Sequence, residues 1–237
     1  MDTQPIGNNR QAVRVQKSIL NALEKKALVS MAKKLPKWVT SDMLTFTGTV
    51  GSFIIALGYA LSNYNIAWLW LSSFGFVVNW FGDSMDGTLA RVRNQQRPKY
   101  GFFLDHNMDC INEAIMFVGA GLSPLVNLET ALLALSAYLI LSVYVYISAH
   151  LKGEFKLTYA KMGPTEFRLI MIAINTMFAL SERLRSISHT VNVFGEARTL
   201  HLLDYITAAI ILFLIVIYFA SFIKDAREYA KEEPLKH

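Results

Sequence analysis

Apolar residues recur along this chain in blocks of roughly twenty, close to the length a helix needs to cross a ~30 Å hydrocarbon layer. Six such blocks are read at residues 43–62, 66–82, 102–121, 130–150, 165–181 and 203–223. Lipid tolerates no open sheet edge, so the pattern predicts an all-α fold, a polytopic membrane protein built as a six-transmembrane-helix bundle. The stretch before the first block reads differently. Between residues 10 and 34, Val13, Ile19, Leu20, Leu23, Leu28 and Met31 are spread among many Lys and Arg, which predicts an amphipathic helix on the membrane surface; a solvated helical arm is the alternative. Pro36 ends that segment, and Thr40, Ser41 and Asp42 offer caps for the first block. The organisation predicted is an N-terminal segment over 1–41, a membrane domain over 42–225 and a tail over 226–237. The loop at 182–202 is too long for a simple turn, and the chain shows no internal repeat.

Composition supports the membrane reading: 53% of the 237 residues are hydrophobic and the mean hydropathy is +0.33, which moves the chain away from soluble folds. A net charge of +5 is compatible with a nucleic-acid partner, but the basic residues cluster beside apolar blocks, where anionic lipid headgroups explain them. Lys and Arg number eight before the first block, four after the second, three after the fourth and four in the tail. The opposite loops hold none, none and three (Arg183, Arg185 and Arg198). The positive-inside rule therefore puts both termini, and the loop with Arg91, Arg93, Arg97 and Lys99, in the cytoplasm. No apolar stretch with a small-residue cleavage site precedes residue 42, so targeting is expected to depend on the membrane helices themselves. A lone cysteine, Cys110, forms no internal disulfide and no C-x-x-C pair, which makes redox chemistry unattractive.

The chemistry concentrates in residues 83–109, DSMDGTLARVRNQQRPKYGFFLDHNMD. Four carboxylates stand there at the ends of, or inside, segments that otherwise belong in lipid, where an ionisable group costs at least ~2.5 kcal/mol and usually faces a polar cavity. At 100° per residue, Asp83 and Asp86 lie about 60° apart on one helix and Asp105 and Asp109 about 40° apart on the next, so each pair shares a face. A short connection makes the two helices antiparallel neighbours and lets the faces converge. Four neighbouring anions repel unless cations neutralise them, and hard divalent ions with oxygen ligands, Mg²⁺ or Mn²⁺, suit that task. Gly87 and Ala90 let a backbone or a flat nucleotide approach closely, and Arg91 supplies a forked donor for phosphate oxygens.

These residues resemble the signature of the CDP-alcohol phosphotransferase family, D-x-x-D-G-x-x-A-R, a spacer, then G-x-x-x-D-x-x-x-D. All eight fixed positions are present: Asp83, Asp86, Gly87, Ala90, Arg91, Gly101, Asp105 and Asp109. The resemblance implies a homodimer with two divalent metal ions and transfer at the cytoplasmic face. A phospho-alcohol would pass from a CDP-linked donor to a hydroxyl acceptor with release of CMP, as in phospholipid biosynthesis. It implies that Asp83, Asp86 and Asp105 hold metal, that Asp109 is a ligand and also the catalytic base, and that Asp83, Gly87, Ala90, Arg91 and Gly101 serve the donor.

Which donor is used stays open. The pair Asp105-His106 and the stretch LKGEFKLTYAKMGPTE are similar to choline and ethanolamine phosphotransferases, which join a CDP-amino-alcohol to diacylglycerol, although Asn107 stands where those have glycine. The rival branch uses CDP-diacylglycerol and a small polar alcohol, and Lys152, Lys156, Lys161 and Arg168 are candidates for an anionic acceptor, against the plain reading of a positive inner loop. His106 is a candidate second acid or base, or a cavity-lining histidine. Glu166 is a candidate for the site, or a helix cap. Trp38, Trp68, Trp70 and Trp80 fall near block ends, as an interfacial belt does. A divalent-cation transporter is the alternative function, since it too places carboxylates in membrane helices.

Overall fold

The structure is a computed structural model that describes residues 13–15, 21–152, 154–156, 163–193 and 195–234. Each predicted apolar block falls on a long helix: α2 (Ser41–Leu61), α3 (Leu69–Val92), α4 (Pro98–Gly121), α5 (Leu128–Lys152), α6 (Pro164–Leu180) and α8 (Leu202–Glu232). A shorter helix, α1 (Asn21–Lys34), precedes them, and a single turn, α7 (Glu182–Arg185), follows α6. Among the described residues three helices are long and apolar enough to cross a membrane: Ser41–Leu61, Leu128–Leu151 and Leu202–Glu232. The others carry charge or run short. Helix α3 extends past the predicted end of its block through Asp83, Asp86 and Arg91, and α6 has only 17 residues.

Local chemistry explains the boundaries. Thr40 Oγ1 accepts from the Met43 amide at 3.2 Å, capping α2, and Glu166 Oε2 accepts from the Gly163 amide at 3.0 Å, capping α6. Helix α3 ends with Asn94 at φ 54°; the Gln95 amide returns to the Ala90 carbonyl and the Asn94 amide to that of Arg91. That pattern satisfies two carbonyls a helix end would otherwise leave bare. Pro98 then opens α4 at a position where a missing N–H costs nothing. The connection between the two helices is only residues 93–97, yet α4 packs mainly against α2 and α5 and is not the direct neighbour of α3 that the short connection predicts.

Helices α2 and α3 meet through glycine. A Cβ on Gly51 would lie 2.4 Å from the Asn79 amide nitrogen, and one on Gly82 would lie 2.2 Å from that of Gly48. Only hydrogen fits between backbones this close, which is how packing proceeds where lipid supplies no hydrophobic drive. Polar side chains join the same seam: Asn79 Nδ2 donates to the Gly48 carbonyl at 3.0 Å and to Ser52 Oγ at 3.1 Å, and Tyr59 donates to Asn175 Oδ1 on α6 at 2.9 Å. Tyr59, Asn79, Asn175 and Ser52 are fully buried. Two apolar clusters flank this seam, one around Ile55, Tyr59, Leu69 and Phe76, the other around Leu44, Met85 and Leu89 with Leu28 and Ala32 of α1.

Two departures from the sequence reading involve strands. The segment predicted as loop over 182–202 holds an antiparallel hairpin of Ser188–Val193 with Glu196–His201, Ser188 opposite His201 and Val193 opposite Glu196. Near its tip Gly195 takes φ +90°, open to glycine without strain. Arg198 ties the hairpin to Glu129 of α5 at 2.7 Å, and Asn127 Nδ2 donates to the Thr199 carbonyl at 2.9 Å. Secondly, Val13–Val15, expected within the first helix, is extended and pairs in parallel with Glu154–Lys156. Two β-branched valines favour that conformation. The helix itself begins at Asn21, with Leu28 and Ala32 packed on α3.

Candidate active site

Helix α3 delivers Asp83, Asp86, Gly87, Ala90 and Arg91, and α4 delivers Gly101, Asp105, His106 and Asp109. Among the described residues, one group has the spacing to hold a metal ion: Asp105, His106 and Asp109 each offer a ligand atom, all within 4.8 Å of one another. The His106 ring lies between Phe102 at 4.1 Å and Tyr146 at 4.9 Å between centroids, with Nδ1 3.4 Å from Asp105 Oδ2. His106 therefore enters the cluster from a wall of aromatic rings.

The two carboxylates of α3 face the same region with other partners. Asp83 Oδ2 accepts from Arg168 Nη2 at 2.6 Å, and the same guanidinium donates through Nε to Asn79 Oδ1 at 2.9 Å. Asp86 Oδ2 accepts from Thr45 Oγ1 at 2.7 Å. Asp83 and Asp105 are near enough for their charges to act on both Asp86 and Asp109. The four predicted acids thus form one electrostatic cluster, with Arg168 as the cation shown directly against it. The donor set is oxygen-rich and anionic, which fits hard divalent ions; Asp83 and Asp86 lie outside the Asp105–His106–Asp109 group.

Two glycines expected to serve the donor differ in their surroundings. A Cβ on Gly101 would meet nothing within 4 Å, and one on Gly87 would meet only the Arg91 guanidinium, at 3.4 Å. Arg91 Nη2 donates to Thr88 Oγ1 at 2.9 Å, so its fork lies along its own helix above Gly87. Arg97 and Tyr100, at the start of α4, both reach Asp42 at the start of α2.

Of the other predicted acceptor residues, Arg168 is inside the cluster and Glu166 caps α6. The side chains of Lys152 and Lys156, and all of Lys161, lie outside the described residues. The sequence reading missed Glu113, one turn beyond Asp109 on α4. Its carboxylate accepts from the Tyr138 hydroxyl of α5 and lies within electrostatic reach of Asp83, Asp109 and Arg168. The signal was available: Glu113 is a further acid inside an apolar block, on the face of Asp109. Asn79 and Thr45 were missed too, and no local pattern marks them.

The chain is similar in sequence to several proteins of known name. A segment of 84 residues is 33% identical to a phosphatidylinositol phosphate synthase of Cutibacterium acnes, covering 35% of this chain and 38% of that one. Over 140 residues the chain is 29% identical to an archaetidylinositol phosphate synthase of Pyrococcus horikoshii, covering 59% of this chain and 70% of the relative. A protein of the same name from Methanothermobacter thermautotrophicus is 31% identical over 113 residues, 48% of this chain and 54% of its own. The match to the first relative therefore spans well under half of its length. Residues 38–220, which include α2 to α6, both acidic pairs and the start of α8, match the model of one family: the chain belongs to the CDP-alcohol phosphatidyltransferases.

Proposed function

We propose that this protein moves a phosphatidyl-type group from a CDP-linked lipid to the hydroxyl of a small phosphorylated polyol, releasing CMP. The observation that carries the reading is the convergence of Asp83 and Asp86 from α3 with Asp105 and Asp109 from α4, beside Arg168. Of the two donor branches left open by the sequence, the relatives' names support CDP-diacylglycerol or its ether-lipid counterpart with an inositol phosphate acceptor. They give no support to the choline and ethanolamine branch.

In this reading the four aspartates hold divalent cations. Bound there, Mg²⁺ or Mn²⁺ would neutralise the donor diphosphate and stabilise the CMP leaving group. The chain's own residues position the reactants and shape the field. Gly87 and Ala90 leave room for the cytidine. Arg91, released from Thr88, turns its fork to the diphosphate. Asp109 takes the proton of the acceptor hydroxyl as that oxygen attacks phosphorus, and the bond to CMP breaks. Arg168 stands ready to compensate negative charge at the α3 edge. The reading includes six membrane-spanning helices, cytoplasmic termini, a site at the inner face and a homodimer; accessibility labelling of single cysteines and cross-linking in membranes test these.

The functional test is purified protein in lipid nanodiscs with Mg²⁺. CDP-diacylglycerol with inositol phosphate, glycerol phosphate or serine is compared with CDP-choline or CDP-ethanolamine plus diacylglycerol. CMP release only in the first arm, fastest with inositol phosphate, is the expected result. Release only in the second arm overturns the branch, and cation flux without CMP favours transport.

A further inference from the structure

Helix α1 carries one acid among its lysines, and three donors converge on one of its oxygens. Glu24 Oε1 accepts from Trp80 Nε1 at 2.7 Å, from Ser84 Oγ at 3.3 Å and from Thr165 Oγ1 at 2.7 Å. Two donors belong to α3 and the third to α6. Their placement is the telling feature: Trp80 and Ser84 bracket Asp83 on one helix, and Thr165 stands one turn before Arg168 on the other. The oxygen thus fixes α3 and α6 in the register that brings Arg168 against Asp83 and Asn79. The other end of α1 is fastened independently. Arg93 of α3 donates to the Leu35 carbonyl at 3.1 Å and the Pro36 carbonyl at 2.8 Å, and Leu28 and Ala32 pack against Met85 and Leu89 between the two ties. A helix that served only to rest on lipid has no need of either tie.

We infer that Glu24 is a positioning residue: through Trp80, Ser84 and Thr165 it sets the α3–α6 register and so the placement of Arg168 at the acidic cluster. It touches no reacting atom. Its effect is transmitted by geometry, and displacement of about 1 Å at a reacting centre costs up to about a hundredfold in rate. The catalytic arm of the test rests on the transferase reading; the other arm does not.

The variants are Glu24→Ala, Glu24→Gln and Thr165→Val, alone and combined with Arg168→Gln, in nanodiscs with thermal midpoints checked. Hydrogen exchange of the first two turns of α6 gives a readout independent of activity. Expected are faster exchange there in Glu24→Ala and Thr165→Val and a kcat about tenfold lower in Glu24→Ala, with donor KM little changed. Glu24→Gln, which keeps an acceptor, should stay within about threefold of wild type. In the Arg168→Gln background Glu24→Ala should add almost nothing, since the group it places is gone. Unchanged α6 exchange in both single variants overturns the inference even if the protein releases no CMP. So do a Glu24→Gln variant as slow as Glu24→Ala, and full additivity with Arg168→Gln. Wild-type protein without CMP release overturns the transferase reading alone.

Discussion

Arg168 of α6 and Asp83 of α3 meet at 2.6 Å, with side chains only 14% and 26% exposed, and the same guanidinium reaches Asn79 at 2.9 Å. The fork joins a signature carboxylate to the polar seam that holds α2 against α3. Two features follow. Asp83 is partly neutralised before any cation binds, and α6, which carries no signature residue, becomes a wall of the site.

Arg168→Gln leaves Asp83, only partly exposed, without its cation beside three other acids. Removing a charged partner of this kind costs about 2 kcal/mol. A cation at the cluster supplies the missing compensation, so the deficit should be smaller in saturating Mg²⁺. Thermal unfolding with Mg²⁺ and with EDTA checks this; an equal deficit in both conditions would show that Asp83 does not share its charge with the ion.

Asp109→Asn keeps an oxygen ligand but removes the base. Transfer should fall by about 10²–10⁴-fold, with donor affinity and metal binding largely retained. Single-turnover CMP release and calorimetric donor binding separate the two effects, and unchanged turnover removes Asp109 from that role.

Gly51 and Gly101 provide a structural contrast. A methyl group on Gly51 must displace the Asn79 backbone, so Gly51→Ala should cost roughly 1–3 kcal/mol or more and disturb Asp83 through α3. Gly101→Ala meets open space and should leave the thermal midpoint unchanged. Lower donor affinity at unchanged stability would mark Gly101 as a ligand-facing position.

Arg91→Lys replaces a fork with a point charge. Donor affinity should drop by roughly tenfold while the thermal midpoint moves little, because Arg91 is exposed and lysine keeps its charge. Equilibrium binding of a CDP-linked lipid measures this directly, and an unaltered affinity counts against diphosphate contact.

Much of this arrangement was legible because it is local in sequence. The apolar blocks predicted helices where α2 to α6 and α8 lie, Thr40 and Glu166 capped as their positions suggested, and helical spacing put each acidic pair on one face. The features that escaped depend on distant partners. Val13–Val15 pairs with the distant Glu154–Lys156, and the loop over 182–202 becomes a hairpin anchored by Glu129 and Asn127. Glu24 reads as one acid on a basic helix until Trp80, Ser84 and Thr165 converge on it. Glu113 was within reach, as an acid one turn beyond Asp109 in the middle of an apolar block, but its partner Tyr138 on α5 was not.

Titration of the purified protein with Mn²⁺, followed by electron paramagnetic resonance with and without a CDP-linked lipid, tests the account most directly. The account predicts bound Mn²⁺ held at the α3–α4 cluster, tightened by the donor and lost in Asp105→Ala and Asp83→Ala variants that remain folded. Manganese binding indifferent to those substitutions and to the donor would contradict it.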